Sequence, residues 1–286
     1  MRILIDVLHP AHVHFFRNFH DEMVGRGHEL CITARAKDRS LELLDRYGLP
    51  YHRLSDQRAG GVGMTVEMVQ RTARLVALMG RFRPDVMTGI MGPSIAVAGA
   101  VRRVPAVVFY DTEFARQTNR FVYPLAHSVC TPDCYQGKVP GTHHRYAGYH
   151  ELAYLHPNRF VPEVEKVKAF GVSPGEPYSI VRFVSWQAVH DRRERGLTAA
   201  QKRHLVEVLH RYGRVLVSSE APLPHDLAAL EVDGPVHDIH HLMAHAQMVV
   251  GESATMCSEA AVLGVPAVFI ATTGRGYTDD EEKRYG

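Results

Sequence analysis

Short apolar runs alternate with amphipathic segments along nearly all of this 286-residue chain, and few architectures accommodate that rhythm. RILIDV reads as a buried strand, and Val13, Phe16, Phe19 and Met23 follow at helical spacing. HELCIT is a second strand, SLELLDRYG a helix closed by Gly48, and TVEMVQRTARLVALMGRF a longer helix stopped by Pro84. DVMTGI, PAVVFY and SVCT continue as strands, with the helical SIAVAGAVRR between the first two. Around residues 148–176 several Pro and Gly interrupt the pattern, as an interdomain segment does. It then resumes with YSIVRFV, the helix AAQKRHLVEVLHRYG, RVLVSS, QMVVG, TMCSEAAVLG and PAVFI. Parallel strands need crossover helices, so the alternation predicts an α/β fold with two successive Rossmann-like domains. The expected boundaries are 1–150 for the first, 151–176 for the connecting segment and 177–286 for the second. DDEEKRYG starts like a helix and stops, so the second domain is expected to be truncated, lacking a closing element.

Composition removes several classes. The formal charge is only +2, which leaves no nucleic-acid footprint. No apolar run approaches the length of a membrane span, and MRILIDVLHP reads as a strand rather than a leader. Of the four cysteines, Cys130 and Cys134 lack the two-residue spacing of a zinc knuckle or redox pair, so reduced thiols of a cytoplasmic protein are expected. GxGxxG does not follow the first strand and no GxxxxGK[ST] occurs, which speaks against a dinucleotide dehydrogenase and a P-loop NTPase.

In open α/β sheets, ligands sit at the carboxyl ends of strands, where helix N-termini present free N–H groups. The first such turn, LHPAHVHFF, holds His9, His12 and His14. A neutral imidazole there could act as base toward a hydroxyl; a capping or surface histidine is the plainer alternative. After PAVVFY come Asp111 and Glu113, able to take a proton or bind sugar hydroxyls, with Arg116 and Arg120 able to hold phosphate. An ordinary acidic helix start would explain the two acids equally well. His241 and His245 share a helical face, but without HExxH or a completing ligand they read as a solvated or partly buried face rather than a zinc site. In GESATMCSEAAVLGVPAVFI, a strand ends at Gly251, Ser253 is a plausible N-cap and Gly264 closes the helix. The helix start suits a diphosphate, and Glu259 a vicinal diol such as ribose; a capped helix with one exposed Glu is the alternative.

That stretch resembles the donor-nucleotide motif of GT-B glycosyltransferases, including the peptidoglycan N-acetylglucosaminyltransferase, and of the UDP-N-acetylglucosamine 2-epimerases that share their fold. ILIDVLHPAHVHFFRNF, DTEFARQTNRFVYPLA, CTPDCY, GYHELAYLHPNRFVP and VRFVSWQAVHD add a resemblance, nearly end to end, to the archaeal and bacterial group called domain of unknown function 354. The resemblance implies two Rossmann-like domains facing across a cleft, the first taking an acceptor and the second a nucleotide sugar. Glu259 matches the ribose-binding residue, and Gly251, Ser253, Ala254 and Thr255 the diphosphate turn. Arg182, Ser185 and Trp186 match the loop flanking the nucleotide. His12 or His14 occupies the place of a catalytic His, and Glu113 that of an epimerase acid.

The expectation is therefore a glycosyltransferase moving a sugar from a nucleotide diphosphate to a hydroxyl of a glycan or lipid-linked acceptor. It needs no metal and no cofactor beyond the nucleotide-sugar substrate, and is compatible with peripheral membrane contact and a homodimer. A 2-epimerase is the alternative, weakened because MGPS (91–94) offers no carboxylate and Arg116, Gln117 and Thr118 replace paired acids. A non-catalytic nucleotide-sugar-binding protein is the other.

Overall fold

The apolar run at the start of the chain forms β1 (Arg2–Val7), buried throughout except at Arg2, as a central parallel strand is. The computed structural model describes residues 1–184 and 196–286, and of Arg116 only the backbone. It divides into two compact units, Met1–Tyr154 and Leu155–Gly286.

In the first unit β1 is joined by β2 (Glu29–Ala36), β3 (Tyr51–Asp56), β4 (Val86–Ile90), β5 (Ala106–Phe109), β6 (Ser128–Pro132) and β7 (His143–Tyr146). The sheet is parallel with order β3-β2-β1-β4-β5-β6-β7. Helices α1 (Pro10–Gly25), α2 (Ser40–Arg46), α3 (Gly61–Phe82), α4 (Pro93–Arg102) and α5 (Arg116–Val122) connect the strands, and a single turn, α6 (Leu152–Leu155), follows the sheet. The two edge strands, β3 and β7, carry YHRLSD and HHRY, too polar to stand out as apolar runs.

Leu4, Met87, Ile95, Val108 and Val122 are fully buried on this sheet. A charged network lies among them. Asp6 on β1 pairs with Arg71 of α3, and both are buried. Asp6 also accepts from Thr33 Oγ1 at 2.6 Å. Arg35 grips Glu67 with two bonds of 2.6 and 2.8 Å, and Ser55 Oγ donates to the same carboxylate at 2.9 Å. Buried charges persist only when paired and hydrogen-bonded, so this network fixes α3 over β1–β3.

The second unit has β8 (Tyr178–Phe183), β9 (Arg214–Ser219), β10 (Met248–Gly251) and β11 (Ala267–Phe269), parallel and in the order β11-β10-β8-β9. Among the described residues its α-helices are α7 (Ala199–His210), α8 (Ile239–Ala244), α9 (Ala254–Val262) and α10 (Gly276–Tyr285). Thr198 and Gln201 close a capping box on α7. Within the Pro- and Gly-containing stretch before β8, Val167, Phe170 and Val172 pack on Tyr178, Ile180 and Leu242 in the core of this unit.

Cys31 and Cys257 are buried, Cys130 and Cys134 half-buried, and all four are free thiols. Among the described residues no helix is long and apolar enough to cross a membrane.

Candidate functional site

Each sheet reverses its winding at one place, and that place is where doubly wound folds bind ligands. In the first unit it lies between β1 and β4, in the second between β8 and β10.

At the first, the chain leaves β1 through His9, whose Nδ1 accepts the Ala11 N–H and caps α1, with Pro10 at the first helical position. His12, one turn into the helix, is buried, and its Nδ1 accepts the Leu8 N–H at 3.2 Å. Burial lowers its pKa to about 3, opposed by Asp111 and reinforced by His150, Lys37 and Arg71. The turn after β4 holds Met91 and Gly92 in the left-handed region. A Cβ at Gly92 would crowd Ile95 and Val108, so the tight MGPS turn requires glycine there.

Asp111 follows β5. Its Oδ2 lies 3.1 Å from Nδ1 of His150, and its Oδ1 accepts from Thr112 Oγ1 at 3.0 Å. His150 follows β7 and is clamped by aromatic rings, Phe15 at 4.7 Å and Tyr146 stacked at 6.2 Å. Burial acts to raise the Asp111 pKa, but His150 beside it and the hydrogen bonds from His150 and Thr112 hold it below the usual carboxylate range.

Not every expected residue joins this cluster. His14 stacks on Tyr154 and lies 3.2 Å from the Tyr47 hydroxyl, away from the β1 turn. Residues two apart on a helix do not share a face, so His12 and His14 never competed for one role. Glu113 accepts the Gln136 N–H at 3.1 Å, tying down the loop after β6. The sequence suggested Asp111 as one of two acids; His150 it gave no reason to choose.

At the second switch point, Gly251 ends β10 so close to β8 that a Cβ would overlap the backbone of Arg182. Ser253 caps α9, its Oγ accepting the Met256 N–H at 3.4 Å, and Ala254 and Thr255 form the first turn. Glu259, one turn on, is 5% exposed, not the surface acid of the plainer alternative. Nε2 of His240 lies 3.0 Å from its Oε1. The histidines of α8 are likewise buried rather than solvated: His241 Nδ1 accepts the Glu163 N–H at 3.0 Å.

Arg182 is on β8, its guanidinium donating to Ser218 Oγ at 2.7 Å and Glu220 Oε1 at 3.1 Å. Ser185 and Trp186 lie outside the described residues. Glu252, unremarked in the sequence, has a buried carboxylate accepting the N–H groups of Val184 at 2.9 Å and Leu197 at 2.6 Å, with Lys202 Nζ at 3.4 Å. The only sequence signal for it is its place directly after Gly251. Among the described residues no group of three or more His, Cys, Asp or Glu side chains is placed to hold a metal.

A family model described as a protein of unknown function, DUF354, matches residues 1–165. No curated protein matches in sequence. Solved structures do match in fold. The Neisseria meningitidis UDP-GlcNAc 2-epimerase bound to UDP-GlcNAc is 10% identical with a TM-score of 0.70, over 98% of this chain and 85% of its own. The Methanocaldococcus jannaschii UDP-GlcNAc 2-epimerase is 11% identical with a TM-score of 0.63, over 93% and 83%. Acinetobacter baumannii MurG is 16% identical with a TM-score of 0.52, over 94% and 78%. The fold is thus the α/β, parallel-sheet fold of GT-B glycosyltransferases and the epimerases that share it.

Proposed function

The chain belongs to the DUF354 family, and from that premise and its own site residues we propose that it is a nucleotide-sugar enzyme, a glycosyltransferase moving a sugar from a nucleotide diphosphate to a hydroxyl acceptor. One observation carries the reading. The turn from β10 to α9 puts Gly251, the Ser253 cap and the first N–H groups of α9 one helical turn from a carboxylate, Glu259, held by His240.

Each part has a task. The unpaired N–H groups and positive end of α9 receive the diphosphate and stabilise it as it leaves. Glu259 receives the ribose hydroxyls, its orientation set by His240. Arg182, already engaged by Ser218 and Glu220, positions the end of β8 beside Gly251 rather than serving as a loose phosphate clamp. The Neisseria meningitidis UDP-GlcNAc 2-epimerase, solved with UDP-GlcNAc bound, supports a UDP-linked sugar as the donor class.

Transfer leads over epimerisation because the MGPS turn after β4 has no carboxylate. Incubation of the protein with UDP-N-acetylglucosamine and a panel of glycan and lipid-linked acceptors, followed by NMR of the sugar products, tests the reading. A new glycosidic linkage or net donor hydrolysis supports it. Inversion at C2 with the donor left intact would make the protein an epimerase, and binding without any chemistry a scaffold.

A further inference from the structure

Two imidazoles at the carboxyl edge of the first sheet, His12 and His150, carry their protons on opposite nitrogens. His12 Nδ1 accepts the Leu8 N–H, and a ring nitrogen that accepts cannot also hold the proton. Neutral His12 therefore keeps it on Nε2. In that tautomer the ring's remaining nitrogen is a donor and has no lone pair to offer a hydroxyl. Burial keeps the ring neutral, with a pKa lowered to about 3 against the pull of Asp111.

His150 is the reverse case. Its Nδ1 faces Asp111 Oδ2 at 3.1 Å, and an ionised carboxylate only accepts, so Nδ1 carries the proton. Its Nε2 is buried with no partner among the described residues, which suits a lone pair better than an unmet N–H. The two partners also differ in access. The Asp111 side chain is 23% exposed, while His150 behind it is 6% exposed.

We propose that Asp111 is the group that takes the acceptor's proton, that His150 positions it from behind, and that His12 serves this site as a hydrogen-bond donor rather than as the base. The inference rests on the transferase reading above. The acceptor oxygen forms its bond to the sugar's anomeric carbon as the bond from that carbon to the diphosphate oxygen breaks. The bonding pair leaves with the diphosphate, and the hydroxyl proton passes to the Asp111 carboxylate. A carboxylate of ordinary or lowered pKa suffices, because the hydroxyl turns acidic as it bonds to an oxocarbenium-like carbon; carboxylates act as bases in this way in inverting glycoside hydrolysis. Among the described residues His150 makes one hydrogen bond, to Asp111, and it is locked by Phe15 and Tyr146, which is what a positioning residue needs.

The test has two arms. In the first, nitrogen-15 NMR of the imidazoles is recorded on the full chain without ligand, with signals assigned through His12→Gln and His150→Asn. The expected result at pH 7 is a neutral His12 protonated on Nε2 and a His150 protonated on Nδ1. A His12 protonated on Nδ1, or cationic, would overturn the assignment. In the second, release of UDP from UDP-N-acetylglucosamine is followed. Asp111→Asn is expected to lower kcat by about 100-fold or more with KM little changed. His150→Leu should lose kcat in the same way, and His150→Asn, which keeps an N–H near the place of Nδ1, should restore most of it. Wild-type kcat in Asp111→Asn, or an equal loss in His12→Gln, would refute the proposal. Failure of the wild type to bind UDP by calorimetry would instead sink the nucleotide-sugar reading, and the tautomers would still decide the roles of the two histidines.

Discussion

Glu281, on α10, offers a quantitative test of how the second unit is held together. It is buried, and Ser258 of α9 donates to its Oε1 at 2.6 Å. Burial raises its pKa from 4.5 to about 7; the Ser258 hydrogen bond opposes this and neighbouring Asp280 adds to it. Because the folded value is the higher one, stability from this group is complete below about pH 4.5. It is lost progressively as pH rises through the folded value near 7, and the loss is constant above that. At about 1.36 kcal/mol per tenfold change in proton affinity, a rise from 4.5 to about 7 corresponds to about 3 kcal/mol. Glu281→Gln keeps the oxygen that accepts from Ser258 and cannot ionise. In urea melts followed by circular dichroism, the variant should match wild type near pH 4.5. At pH 8.5 it should exceed wild type by about 2–3 kcal/mol. A difference between variant and wild type that does not change from pH 4.5 to 8.5 would show that burial does not shift Glu281, since only an ionisation confined to the wild type can generate the slope.

Arg71→Ala strands the buried Asp6 and should cost about 3–5 kcal/mol in urea melts, whereas Arg71→Met with Asp6→Leu should recover most of it. Gly251→Ala forces a Cβ into the Arg182 backbone, so it should destabilise by about 1–3 kcal/mol and weaken UDP binding in calorimetry. Glu252→Ala removes the acceptor of the Val184 and Leu197 N–H groups, and amide hydrogen exchange at those two residues should speed up while the β9 core keeps its protection.

The alternation of apolar runs was enough to place the central strands, because a strand buried on both faces writes itself as a continuous apolar run. β3 and β7 escaped that rule: they are edge strands, and YHRLSD and HHRY bury too little to leave a pattern. His150 was hidden for a related reason, since it follows β7 in a stretch whose Pro and Gly resemble a linker. Asp111 and Glu113 both stood out as acids at a strand end, yet only packing settles which of them faces His150 and which ties down Gln136. The two histidines of α1 were more legible than they looked, because helical geometry alone forbids residues two apart from sharing a face. In the second unit Gly251, the Ser253 cap and Glu259 could be read from one short stretch. The depth of Glu259 and its partner His240 could not, because nineteen positions of chain separate them.

Calorimetric titration of the protein with UDP, for the wild type and for Glu259→Ala, decides whether the β10–α9 turn is a nucleotide site. UDP should bind the wild type, and removal of the carboxylate should weaken binding by about tenfold or more, the loss of a charge-assisted hydrogen bond to the ribose. Equal affinity in the two proteins, or no binding to folded wild type, would contradict it and leave Glu259 as the structural partner of His240.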